Sequence, residues 1–179
     1  MSLLTLRDIC LSFGGPLLLK KISGSIEPRD RICLVGRNGE GKSTLIRVIL
    51  KTQDVDSGEF ESSPHLKLAF LPQNIPDSLT GTVFDIVSQG IGQAAATSAA
   101  YHQAALKLAS NPEDTQAAED LEKYQNELDK SNGWAVSHKI EKLLSLTELD
   151  PDNTFETLSG GLKRRVLLAQ ALEKEPDIL

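Results

Sequence analysis

The 179-residue sequence predicts a mixed α/β fold: a core built around a phosphate loop, a small antiparallel β portion and a helical subdomain. Three observations predict it. The run Gly36-Arg37-Asn38-Gly39-Glu40-Gly41-Lys42-Ser43-Thr44 fits G-x-x-x-x-G-K-[S/T], with an apolar run at 31–35 before it and a helix-like run at 45–50 after it. Leu158-Ser159-Gly160-Gly161 precedes a second helix-like run at 162–172. Residues 74–157, between the two motifs, are mostly helical in character.

Taken in order, Ile9, Leu11 and Phe13 alternate with Cys10 and Ser12, the pattern of a strand with one buried face. A second strand is expected at 23–26. Glu27-Pro28-Arg29-Asp30 then turns into Arg31-Ile32-Cys33-Leu34-Val35, which reads as a buried strand leading into the phosphate loop. Asp56-Ser57-Gly58 turns into a strand at 59–62, and residues 68–71 give another, ending at Gln73. Thr82-Val83-Phe84-Asp85 has the spacing of a capping box. The alanine-rich run 93–108 predicts a helix, and a second begins at Pro112 and Glu113, with Ala117, Leu121, Tyr124 and Leu128 on one narrow stripe. Asn111-Pro112 separates the two and Asn132-Gly133 ends the second, so 92–133 reads as an antiparallel helical hairpin. A third helix carries Val136, Ile140, Leu143 and Leu144 on one face, with Trp134 anchoring its start. Leu149-Asp150-Pro151-Asp152-Asn153 then loops towards Leu158.

The chemistry of both glycine-rich motifs is anion binding. Glycines let the backbone approach a phosphate and turn successive N–H groups inward, while the helix that follows adds the positive end of its dipole. Lys42 is placed to reach the β- and γ-phosphates, Ser43 to put its hydroxyl on Mg²⁺, and Thr44 lies beside it. Ser159 has the N-cap residue type, and Gly160 and Gly161 expose backbone N–H groups at a second helix start.

The order of three motifs, phosphate loop, Phe70-Leu71-Pro72-Gln73 and Leu158-Ser159-Gly160-Gly161, resembles that of ATP-binding cassette (ABC) modules. Within that superfamily the chain is similar to the N-terminal cassette of the soluble ABC-F proteins. The stretches Ser12-Phe13-Gly14-Gly15-Pro16-Leu17-Leu18, Cys33-Leu34-Val35-Gly36-Arg37-Asn38-Gly39 and Leu158-Ser159-Gly160-Gly161-Leu162-Lys163-Arg164-Arg165 carry the match, with a weaker likeness at 83–91. Transporter cassettes usually have glutamine after the signature, where this chain has Leu162 and a basic triplet.

The resemblance implies an ABC-cassette core of the phosphate-loop NTPase type, incomplete here. It implies an ATP-binding core at 1–73, a helical subdomain at 74–157 whose hairpin corresponds to the ribosome-contacting arm, and a signature helix at 158–179. It implies ATP and Mg²⁺ as ligands, Phe13 stacking on adenine, and Gln73 coordinating Mg²⁺ or the attacking water. ATP would lie between the phosphate loop of one cassette and the Leu158-to-Gly161 motif of a second, in the same parent chain or a dimer. The family role is ATP-dependent action on the ribosome or in DNA-associated processes. The chain stops at Pro176-Asp177-Ile178-Leu179, before the family's Walker B aspartate and catalytic glutamate, so no catalytic residue is assigned. Asp177 precedes the expected apolar strand, and His65, His102 and His138 match no family position. A parent ATPase is therefore implied, with this segment not competent alone and its apolar sheet surface uncovered. Two rivals are an ATPase subunit of a membrane transporter and a non-hydrolysing, nucleotide-dependent interaction module.

Composition narrows the setting. Nineteen basic against 25 acidic residues give a net charge of −6, without an overall basic footprint for nucleic acid. Lys163-Arg164-Arg165 is the one short basic cluster. No run approaches the roughly 18 apolar residues of a membrane helix, and the N-terminus lacks a signal-peptide pattern, so a cytoplasmic module is expected. Cys10 and Cys33 are too few for a disulfide scaffold or zinc site and are expected as buried free thiols.

Overall fold

The computed structural model describes every residue except Met1, Asp77, Gly90, Ile91 and Asn132. Gly90 and Ile91 of the weaker family likeness, and Asn132 of the expected helix stop, thus lie outside the described residues. The chain divides into two compact units, 1–70 with 176–179, and 71–175.

The first unit is built on β1 (Leu4–Leu11), β2 (Leu19–Ile26) and β3 (Ser57–Ser62), an antiparallel sheet in the order β2-β1-β3. Leu4, Leu6, Ile9 and Leu11 of β1 are all buried with Leu19 of β2 and Val48 of helix α1 (Lys42–Ile49). Leu6 and Ile9 are three apart, which strict alternation would put on opposite faces. A shift of register between them, with Asp8 at φ 49°, returns Ile9 to the core. Gly58 faces this irregularity at φ +109°, and a Cβ there would lie 2.7 Å from the Arg7 and Asp8 carbonyl oxygens, so only glycine lets β3 close on β1.

Three strand expectations need correction. Phe13 is not part of β1, which ends at Leu11; it lies in the following loop and is 63% exposed. Residues 31–35 form no strand: all five are exposed, Val35 to 90%, and Cys33 is an exposed thiol rather than a buried one, while Cys10 is half-buried. An apolar run becomes a strand only when neighbours satisfy its N–H and C=O groups, and among the described residues none runs beside it. Residues 68–71 give only a single parallel bridge, Leu68 with Ile178, supported by Ala69 N–H to the Ile178 carbonyl at 3.0 Å. The two expectations at 23–26 and 59–62 lie inside β2 and β3. The mixed α/β class stands, its ordered sheet being the small antiparallel one.

The second unit is helical: α2 (Val83–Ser88), α3 (Gln93–Ser110), α4 (Thr115–Lys130), α5 (Gly133–Leu146), a single 3₁₀ turn at Phe155–Thr157, and α6 (Gly160–Glu173). The capping box forms, with Thr82 Oγ1 accepting from Asp85 N–H and Asp85 Oδ2 from Thr82 N–H. Phe84, Ile86, Val87, Ile140, Leu144, Phe155 and Val166 make the core. Helices α3 and α4 pack as a hairpin. The second starts at Thr115, not Pro112, because Asp114 takes the cap and accepts from Ala117 N–H at 2.9 Å. Its stripe faces inward: Ala117 and Leu128 are buried, Leu121 and Tyr124 half-buried. His102 stacks on Phe84, ring centroids 4.5 Å apart, and its Nε2 lies 2.9 Å from Asp152 Oδ1, though too oblique for a hydrogen bond.

An ionic tie joins α5 to the end of α6. Lys139 Nζ donates to the Glu173 carbonyl at 3.0 Å and lies 3.3 Å from the Glu173 carboxylate, only 2% exposed, and 3.2 Å from Glu175. Desolvation pushes the ammonium down, but the contacts to Glu175 and Glu173 outweigh it and raise the Lys139 pKa above the ordinary 10.5. A raised folded-state value means the tie stabilises below pH 10.5 and is lost as pH rises through that raised value. The stability gap between wild type and Lys139→Met, from urea melts, is therefore expected to be constant at neutral pH and to shrink at strongly alkaline pH. A gap that grows with pH would contradict it.

Candidate nucleotide-binding site

The phosphate loop keeps its form in the first unit. Gly39 and Gly41 both adopt positive φ, 88° and 86°, and Gly41 is the N-cap of α1. A Cβ on Gly41 would meet Leu19 Cδ2 at 2.9 Å and Leu18 Cγ at 3.1 Å, so β2 backs the loop and requires glycine there. The helix has no side-chain cap and no acidic residue in its first turn. Its leading N–H groups and dipole are thus open to an external anion.

Lys42 folds back over the loop, donating to the Gly36 carbonyl at 2.8 Å and the Arg37 carbonyl at 2.7 Å. Across the same stretch, Arg37 N–H donates to Glu40 Oε2 at 2.7 Å, and Glu40 N–H to the Arg37 carbonyl at 3.3 Å. The Arg37 N–H is thus taken within the loop, and the ammonium of Lys42 has only neutral carbonyl partners. The second observation fits a phosphate chain, whose anionic oxygens are better partners for that ammonium. Asn38 and Ser43 are exposed; the Ser43 hydroxyl makes no hydrogen bond among the described residues, leaving it available to a cation, with Thr44 half-buried behind it. Among the described residues no cluster of three or more histidine, cysteine or acidic side chains is positioned to hold a metal.

In the second unit Ser159 caps α6, its Oγ accepting from Leu162 N–H at 3.4 Å. Gly160 and Gly161 are exposed, and nothing lies within 4 Å of a Cβ on either, so the helix start has room for a ligand. Leu158 anchors the motif by packing on the core. Of the basic triplet, Lys163 donates to the Glu156 carbonyl at 2.9 Å and lies over the Phe155 ring, and Arg165 donates to the Thr147 carbonyl at 3.4 Å. These two are held by their own unit, while Arg164 is exposed. Gln73 is exposed at a bend of this unit, and Phe13 in the first unit presents its ring to solvent. The phosphate-loop residues 36–44 thus come together in one unit and Leu158 to Gly161 in the other. The support of Gly41 by Leu18 and Leu19, and of Arg37 by Glu40, is not specified by the motif, which leaves positions 37 and 40 open to any residue and does not extend to β2.

Comparison with known proteins agrees with this geometry. The ABC transporter family model matches residues 19–179. The ATP-binding protein Uup of Haemophilus influenzae is 37% identical over the whole chain, which spans 28% of that protein. The energy-dependent translational throttle protein EttA of Mycobacterium tuberculosis is 27% identical over 98% of the chain, which spans 31% of it. Among solved structures, cbiO1 of Clostridium perfringens, part of an ABC transporter complex, aligns over 98% of this chain and 62% of its own, with TM-score 0.64 and 18% identity, a likeness of fold alone. No helix among the described residues is long and apolar enough to cross a membrane. With the phosphate loop, the capped Ser-Gly-Gly helix and the family match all falling on one stretch of sequence, this chain belongs to the ABC transporter family and is similar to the Uup proteins.

Proposed function

We propose that this chain is the ATP-binding module of a soluble ABC-F type ATPase that acts on the ribosome and translation or in DNA-associated processes. The observation that carries the reading is the phosphate loop, with Lys42 poised over it and an uncapped helix start behind it. ATP with Mg²⁺ is the ligand such a loop suits. Residues 36–44 bind and orient the phosphates, Ser43 supplies a Mg²⁺ ligand, and Phe13 is the adenine platform, its exposure being what a stacking surface needs. The cation would offset phosphate charge. The Leu158-to-Gly161 helix start is open for the γ-phosphate of nucleotide held by a second cassette, in the same polypeptide or a partner. Similarity to EttA, whose name assigns it to translation, favours the ribosomal arm of the proposal.

The rival, an ATPase subunit of a membrane transporter, shares the fold of cbiO1. Sedimentation separates the two. The full-length polypeptide carrying this segment, incubated with ATP and ribosomes, is expected in the ribosomal pellet and absent from it without nucleotide. Recovery with a membrane permease and not with ribosomes would overturn the proposal in favour of the transporter.

A further inference from the structure

We propose that Glu40 is a positioning residue of the phosphate loop: its carboxylate holds the Arg37 peptide in the shape that receives a nucleotide's phosphates. The inference rests on the ATP-binding reading of the loop. Arg37 N–H donates to Glu40 Oε2 at 2.7 Å, while Glu40 N–H donates to the Arg37 carbonyl at 3.3 Å, a reciprocal pair closing residues 37–40 into a ring. Its logic is that of a capping box, in which a side chain and a backbone group three residues apart satisfy one another. Gly39, at φ +88°, reverses the chain inside the ring.

Lys42 grips the same stretch through its carbonyls, at Gly36 and Arg37. Those contacts must loosen when Lys42 turns to phosphate, and the Glu40 tie is then what keeps the Gly36–Arg37 backbone from fraying. Gly36 belongs to this device, because a Cβ there would lie 2.7 Å from Glu40 Oε2 and push the carboxylate off. Its φ is not in the left-handed region, so what an added Cβ at 36 would disturb is the carboxylate's place and not the backbone conformation.

A carboxylate beside bound phosphates also repels them, and the two effects have opposite signs. Repulsion between exposed charges is screened by water and salt, whereas the brace is a direct, short, charge-assisted hydrogen bond. The brace is expected to prevail.

Calorimetric titration of the chain with MgATP tests this in wild type, Glu40→Ala, Glu40→Gln and Lys42→Ala, each checked for folding by its melt. Loss of the brace in Glu40→Ala is expected to weaken binding about three- to tenfold. Glutamine keeps an acceptor of the same length without the charge, and is expected to bind within about twofold of wild type. Alanine binding as tightly as wild type or tighter would overturn the proposal, as would equal weakening in both variants. Gly36→Ala supplies an independent check: it should weaken binding in wild type and add little in Glu40→Ala, since both remove one interaction. Additive effects would count against the brace. Should wild type itself bind no MgATP, the reading of the site falls and the proposal with it. Binding by wild type, lost in Lys42→Ala and indifferent to residue 40, sinks the proposal alone.

Discussion

Lys42→Ala is expected to weaken MgATP binding by about ten- to a hundredfold, the loss of one charge-assisted contact to phosphate. In this chain the ammonium is committed to two neutral carbonyls, at Gly36 and Arg37, and to no acidic partner. Exchanging those for phosphate oxygens is favourable, and alanine forfeits the exchange. The fold should not suffer, because Lys42 lies at the first position of α1 and contributes nothing to the core of β1, β2 and Val48. Calorimetry gives the affinity and a thermal melt the control. Unchanged affinity in a folded variant would remove the phosphate-loop assignment.

Phe84→Ala carries the largest expected cost in stability, about 3–5 kcal/mol. Phe84 is 1% exposed, lies in the core cluster of the helical unit, and stacks on His102. Alanine leaves a cavity among Ile86, Ile140, Leu144 and Phe155, and strips His102 of its stacking partner, leaving its ring beside Asp152 alone. Against a typical total of roughly 5–15 kcal/mol, such a loss approaches unfolding. Trp134 is the single tryptophan and sits edge-on to Tyr101 in the same unit, so its fluorescence reports this unit in urea. A change below about 1 kcal/mol would show that the cluster relaxes around the gap.

What could be read from sequence was local. The capping box at Thr82 and Asp85, the stripe on α4 and the Ser159 cap each depend on residues within a turn or two of one another, and each formed. The expected strands at 31–35 and 68–71 failed for one reason: apolar composition records a capacity to pair, while the pairing is made by distant residues. Ile32, Leu34 and Val35 have the composition of a central strand and no paired strand among the described residues. β1 was legible only in part, because the register shift near Asp8 breaks the alternation that identifies a strand. Of the candidate site, the motif gave the phosphate loop, but not its buttress from Leu18 and Leu19 or the turn of Glu40 back onto Arg37. The buttress follows from where β2 and the loop meet; the Glu40 contact is local, but it falls on positions that the motif leaves open.

The bridge between Leu68 and Ile178 makes the first unit discontinuous in sequence. Lys67 N–H donates to Asp177 Oδ2 at 2.8 Å across 110 positions, so the first unit is built from two stretches of chain with the whole helical unit between them in sequence. Closing a flexible loop of that length costs an entropic term on the order of 4 kcal/mol, much of it avoided if the intervening helices have already gathered. The helical unit is thus an insert within the first, and its own compactness lowers the entropic cost of closing the first unit around residues 176–179.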